Sequence, residues 1–198
     1  MSKLRDYPKL EFRSRQEIRD WLEKNYSKGT SFWLVTYKKH VPKRHVPYND
    51  VVEELLCYGW VDTRTRRLDE DRMMLLVAPR KVGSTWSASN KERVARLTKQ
   101  GLMTKAGQEK VIAARQDGSW AYLDDIENLV VPDDLAQALG TNKRARDNFE
   151  AFNASARKVI LLWIKTAKRS ETRARRVRET VRLATKNVKA AHPEARGR

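Results

Sequence analysis

Residues 50–77 read Asp50-Val-Val-Glu-Glu-Leu-Leu-Cys-Tyr-Gly-Trp-Val-Asp-Thr-Arg-Thr-Arg-Arg-Leu-Asp-Glu-Asp-Arg-Met-Met-Leu-Leu-Val77, and this stretch decides the fold class. Val51, Val52, Leu55 and Leu56 recur at helical spacing, with Asp50-x-x-Glu53 as a start signal and Gly59 as the stop. From 60 to 68 the pattern switches to strand-like alternation, and 72–77 reads as its hairpin partner across Asp69-Glu-Asp71. One helix running directly into a hairpin, with more helices on both sides, is an α+β pattern.

The N-terminal side repeats the scheme. Ser14-x-x-Glu17 is a capping box, followed by Ile18, Trp21 and Leu22 at helical spacing and by Gly29. Residues 30–38 are rich in aromatic and β-branched side chains and read as a strand, and a basic, proline-marked loop follows at 41–47. The first 80 residues thus predict two helices on a small antiparallel sheet.

Beyond Pro79 helical signals dominate. Ser89-x-x-Glu92 reads as a capping box before Val94 and Leu97, and a helix from Thr104 ends near Gly118. A loop carries Trp120 and Tyr122, and Pro132-Asp133-Asp134 opens a short helix to Gly140. Asn142 caps a helix with Ala145, Phe149 and Phe152, and Ser155 caps one with Val159, Ile160 and Trp163. The last helix starts near Ser170, with Ala174, Val177, Val181, Ala184 and Val188 as its apolar stripe. The expected organisation is an α+β subdomain over 1–83, a helical subdomain over 84–189 and a disordered basic tail over 190–198.

Composition narrows the function. The chain has 198 residues, 40% hydrophobic, with six Trp and six Tyr, enough to bury a core. Its longest apolar runs fall far short of the ~20 residues a membrane span needs. Charges at 3–6 occupy the place where a secretory signal needs an apolar segment, so a cytoplasmic location is expected. One cysteine, Cys57, forms no internal disulfide, and three scattered histidines lack the close pairing of a zinc site. No metal and no cofactor are expected. No glycine-rich phosphate loop and no GxSxG elbow occurs.

Charge is the strongest signal. The formal net charge is +17, and 154–198 alone hold 14 Lys and Arg against three Glu. By contrast, 117–136 hold six acids and no base. Such segregation makes a directional field that steers a charged partner.

Two stretches resemble the YdeI/OmpD-associated family of bacterial and archaeal proteins. The first is Val52-Glu-Glu-Leu-Leu-Cys-Tyr-Gly-Trp-Val-Asp62 with Pro79-Arg80 and Trp86-Ser-x-x-Asn90-x-x-Arg93 through Gly101, Met103 and Gly107. The second runs from Pro132-Asp-Asp-Leu135 through Phe149, Ser155 and Arg157 to Ala167-Lys168 and Glu171-Thr-Arg173-x-Arg175-Arg176. The resemblance implies a shared fold and brings no catalytic residue with it. The family's name suggests bacteriocin protection or a link to an outer-membrane porin, and a periplasmic assignment is sometimes attached to it.

Three readings of function follow. The first is a basic accessory protein that binds a polyanion, most naturally RNA or DNA, without sequence specificity. Arg169, Arg173, Arg175, Arg176, Arg178, Arg182 and Lys186 on the last helix would contact phosphates, and arginine forks suit two-point contact with phosphate oxygens. The plainer reading is a solvated helix whose charge keeps the protein soluble. A lipid surface fits less well, because the apolar stripe is Val and Ala rather than Trp, Phe or Leu.

The second reading is a small enzyme or ligand-binding protein with a pocket near Asp62, Arg80, Trp86, Ser87 and Asn90. There Arg80 and Arg93 would add positive charge to a helix start. Asp62, Ser87 and Asn90 are its candidate working groups, against which stand an ion-paired strand aspartate and plain capping. Cys57 reads as small apolar filling rather than a nucleophile. Without a recognisable reaction motif, binding is expected over catalysis. The third reading is a protein–protein adaptor using the acidic 117–136 segment.

Overall fold

The computed structural model describes residues 7–191 of the 198. The chain divides into two compact units, Met1–Ala121 and Tyr122–Arg198.

The N-terminal unit is α+β. Its strands are β1 (Lys9–Glu11), β2 (Phe32–Tyr37), β3 (Trp60–Arg67) and β4 (Arg72–Pro79), and its helices are α1 (Arg15–Asn25), α2 (Tyr48–Cys57), α3 (Ala88–Lys99) and α4 (Lys105–Gln116). The sheet order is β1-β2-β4-β3. β4 pairs antiparallel with both β2 and β3, while β1 pairs parallel with β2, so the expected antiparallel sheet gains one parallel edge. Three residues are too few for β1 to stand out by periodicity.

Alternation along β2 and β4 sends Phe32, Leu34, Leu75 and Val77 into the main core with Ile18 and Leu22 of α1 and Val51, Val52, Leu55 and Leu56 of α2. The other sheet face carries a separate small cluster, Trp33, Val35 and Met74, with the Arg66 guanidinium over the Trp33 ring. Trp86, Val94, Leu97, Met103, Val111 and Ala114 belong to the same core as the sheet. That is why the unit ends at 121 and not at 83: α3 and α4 bury their apolar faces on α2. The seam is tight, since Thr104 Oγ1 donates to the Cys57 carbonyl at 2.6 Å and Gly107 lies on the backbone of Leu56 and Cys57.

The C-terminal unit is all helical: α5 (Asp124–Glu127), α6 (Asp133–Gly140), α7 (Lys143–Ala151), α8 (Ala154–Lys165) and α9 (Ser170–Ala184). Leu135, Leu139, Phe149, Phe152, Ile160, Ile164, Val177 and Ala184 form its core. Asn148 Nδ2 donates at 2.8 Å to the Ala184 carbonyl, which also accepts from Asn187 N, and so ties α7 to the end of α9. The start of the expected disordered tail, Ala190, is buried at 1% exposure, and 192–198 lie outside the described residues.

Several expected caps moved. Ser87 rather than Ser89 caps α3, accepting from Asn90 N, and Asn153 rather than Ser155 caps α8, accepting from Ala156 N. In both places two cap-forming residues stand two positions apart, and the first of them is the one used. α2 opens at Tyr48, which releases Asp50 to accept from Arg15 Nη1 at 3.3 Å. The short α5 emerges from what the sequence presents as a loop.

Candidate functional site

Spacing decides which cations of α9 share a face. Its buried side is Val177, Thr180 and Ala184, with Val181 half-buried, whereas Ala174 is exposed and leaves the expected stripe. Opposite this side, Arg175, Arg178 and Arg182 follow one another at steps of three and four, and Lys186, two residues past the end of α9 and on the same groove as Arg178 and Arg182, continues the row. All four are exposed. Arg182 is held by Glu179 through two hydrogen bonds of 2.8 and 2.7 Å, and no described carboxylate pairs with Arg175, Arg178 or Lys186. Arg178, Arg182 and Lys186 line a shallow groove of about 490 Å³ with Thr141, Asn142 and Thr185.

The rest of the expected set is dispersed. Arg173 reaches Asp134 with two hydrogen bonds of 2.7 and 2.9 Å. Arg176 turns inward over the Trp163 ring and donates to the Trp163 carbonyl. Arg169 is the residue before α9 and lies off the row. Arg80 and Arg93 belong to the N-terminal unit. Four of the seven cations expected on the last helix therefore lie in one exposed row.

The acidic segment is largely spent inside the fold. Asp125 pairs with Lys165, Glu127 with Lys158 and Asp134 with Arg173, and Asp117 accepts from the backbone N–H of Gly83 and of Ser119. Arg173, more than any other group, holds the Asp134 carboxyl below the usual range. A depressed carboxyl supports the fold above its unfolded pKa and loses that support as pH falls through its folded value. Asp134→Asn is therefore expected to cost about 0.5–1 kcal/mol at pH 7, the upper part of the exposed ion-pair range. The difference should shrink below about pH 4 and vanish once the wild-type carboxyl is protonated. Urea titrations of both proteins across that range would measure it.

In the N-terminal unit, Arg80 follows β4 and is 3% exposed. Its guanidinium lies 3.8 Å from the Trp86 ring centroid, and Nη1 donates to the Thr85 carbonyl at 3.0 Å. Burial pushes its pKa down to about 10, opposed by the charge of Asp62. Arg80 and Trp86 border a cavity of about 240 Å³ whose wall also includes Lys81, Val82, Lys110 and Asp117. Asp62, Ser87 and Asn90 do not line it. Asp62 accepts from the Tyr48 hydroxyl at 2.8 Å, and burial first, then this bond, push Tyr48 up to about 12. Ser87 caps α3, and Asn90 Oδ1 accepts from Arg93, which also bonds Asn49.

Cys57 is fully buried, and burial first, then the Glu54 carboxylate, push its thiol up to about 11. His40 lies 2.9 Å from Asp71 Oδ1 and His45 2.7 Å from the Tyr37 carbonyl, and His192 lies outside the described residues. Among the described residues no group of three His, Cys, Asp or Glu is placed to hold a metal, and no helix is long and apolar enough to cross a membrane. Sequence reasoning missed Lys81 and Lys110 at the cavity and Thr141 and Thr185 at the groove. No local pattern marks them, because Lys81 is placed by the turn after β4 and the others by helix packing.

Comparison with known proteins adds two family matches. Residues 10–110 match the family described as Domain of unknown function (DUF8412), and residues 128–187 match Bacteriocin-protection, YdeI or OmpD-Associated. The second match bears out the resemblance of the 132–176 stretch, whereas the 52–107 stretch falls within the first match. No curated protein and no solved structure matches the chain.

Proposed function

We propose, from the premise that the chain belongs to the DUF8412 family and carries a YdeI/OmpD-associated match in its C-terminal unit, that it binds the phosphate backbone of nucleic acid without sequence specificity. Neither family description names a chemistry, so the reading rests on the row Arg175, Arg178, Arg182 and Lys186. Three of these cations have no described carboxylate partner, which is the observation that carries the proposal. An exposed cation already satisfied by a carboxylate gains little from a phosphate, whereas an unpaired one releases a counterion from the nucleic acid. Beside the row, the Thr141 and Thr185 hydroxyls already donate to the Ala138 and Val181 carbonyls, so the second amide hydrogen of Asn142 is the neutral donor they leave for a phosphate oxygen. The acidic segment supports an adaptor role poorly, because most of its carboxylates are engaged internally.

Three phosphate contacts, from the unpaired Arg175, Arg178 and Lys186, predict a salt slope near −2.7 and roughly a forty-fold loss of affinity for a duplex probe between 50 and 200 mM salt. The triple variant Arg175→Ser, Arg178→Ser, Lys186→Ser should flatten that slope by about 2.7. Its thermal midpoint should hardly move, since exposed substitutions usually stay within about 0.5 kcal/mol each. Fluorescence anisotropy on single-stranded and duplex probes would read both effects. A slope that is flat, or the same in the triple variant, rules the proposal out.

A further inference from the structure

Folded proteins seldom bury a cation without a carboxylate, and when they do its remaining donors are normally satisfied. Arg80 departs from this rule. Its guanidinium has five N–H donors, and the structure gives it one acceptor, the Thr85 carbonyl, and one aromatic face, Trp86. Asp62 acts on it through charge alone and is itself occupied by Tyr48. Arg80 Nε and Trp86 Nε1 are both buried and both lack a hydrogen-bond acceptor among the described residues. These two residues line the same 240 Å³ cavity, which lies between the 81–84 turn and α4.

The rest of the wall agrees with a negatively charged occupant. Lys81 and Lys110 add positive charge, and Val82, Ala113 and Ala114 offer an apolar surface. Two carboxylates also line it. Asp117 is already committed to the backbone N–H groups of Gly83 and Ser119, and the adjacent Ser119 hydroxyl, short of full hydrogen-bond geometry, helps hold its carboxyl low. Glu109 is exposed at the rim.

We propose that this cavity binds a small oxyanion, a carboxylate or phosphate on a short organic body, with the terminal N–H groups of the Arg80 guanidinium donating to its oxygens and Lys81 and Lys110 adding charge. Guanidinium N–H groups meet the lone pairs of such a head group, and the stacked Trp86 ring holds the fork in place. The site is built from the N-terminal unit alone and does not depend on the α9 row.

The test uses the full chain with sodium butyrate and with inorganic phosphate, each compared with sodium chloride at equal ionic strength. At ten times Kd, one or both anions should raise the thermal midpoint of the N-terminal unit by about 5 °C, with saturation. Arg80→Met should abolish the rise, yet its own midpoint without added anion should equal or exceed that of wild type, because the variant no longer buries an unpaired charge. An arginine with a purely structural role would give the opposite result, a lowered midpoint. Should Arg80→Met not fold, Lys110→Met, which keeps the methylene stem, decides the matter by an affinity loss of threefold or more. No saturable rise with either anion overturns the site, as does an undiminished response in Arg80→Met or in Lys110→Met.

Discussion

Replacing Gly107 with alanine is expected to remove about 3 kcal/mol from the stability of the N-terminal unit, the upper end of what overpacking usually costs. A Cβ built at Gly107 would lie 2.3 Å from the Cys57 carbonyl oxygen, 2.7 Å from that of Leu56 and 2.8 Å from the Cys57 carbonyl carbon. Side-chain tips can rotate away from such contacts, but these are backbone atoms at the end of α2. Relief requires α4 to lift as a body. That movement would stretch the hydrogen bonds from Thr104 Oγ1 and Thr104 N to the Cys57 carbonyl, 2.6 and 3.2 Å long. It would also open the core around Val111 and Ala114. Gly140→Ala supplies the control, since nothing lies within 4 Å of the added carbon there and alanine favours helix over glycine. Equilibrium urea unfolding should show a large drop for the first variant and none for the second. Equal midpoints for Gly107→Ala and wild type would mean that α4 is not seated as described.

The double variant Arg15→Met, Arg19→Met should have an effect of similar or larger size, about 3–5 kcal/mol, for an electrostatic reason. Glu53 and Glu54 are 6% and 2% exposed on a helix that otherwise buries hydrophobic side chains. Glu54 accepts from Arg15 Nε at 2.6 Å and from Arg19 Nη1 at 3.0 Å, while Glu53 pairs with Arg15 Nη2 at 3.1 Å and with Arg96. Removing both arginines leaves Glu54 buried without a counter-charge, the most expensive way to break such a pair. Because Arg15 and Arg19 are partly open to solvent, the lower half of the range is the better expectation. Adding Glu54→Leu to the double variant should recover most of the loss, since it removes the isolated charge and fills its place. Denaturant titration of the three proteins tests this, and a triple variant no more stable than the double would contradict it.

Both effects arise from one short sequence, Val52-Glu-Glu-Leu-Leu-Cys-Tyr-Gly59, which also decided the fold class. Its apolar residues were legible as a helix face by spacing alone. Its two glutamates read equally well as solvent-facing, because a single sequence does not state whether arginines 35 and 39 residues earlier point at them. Gly107 stood out within the resemblance motif, yet the contact that makes it necessary is with a helix ending 50 positions earlier.

The functional residues divide along the same line. That the end of the chain is strongly basic is visible in its letters. Which of those cations stay available is not, since Arg173 and Arg178 look alike in sequence, yet one pairs with Asp134 39 residues away and the other has no described carboxylate partner. Arg80 shows the other side of the problem. Nothing in Pro79-Arg80-Lys81 announces a buried guanidinium, which arises only when Trp86 and α4 close over it.

What the amino-acid order determined unaided was local: the order of helices and strands, the α+β character, the surplus of positive charge and the family kinship. Those properties depend on backbone periodicity and composition, which act over a few neighbouring residues. The tertiary structure alone decided where the first unit ends, which arginines remain without a carboxylate, and which donors meet at a cavity. Ion pairing and burial depend on distance through space, and two side chains forty positions apart have no distance until the chain has folded.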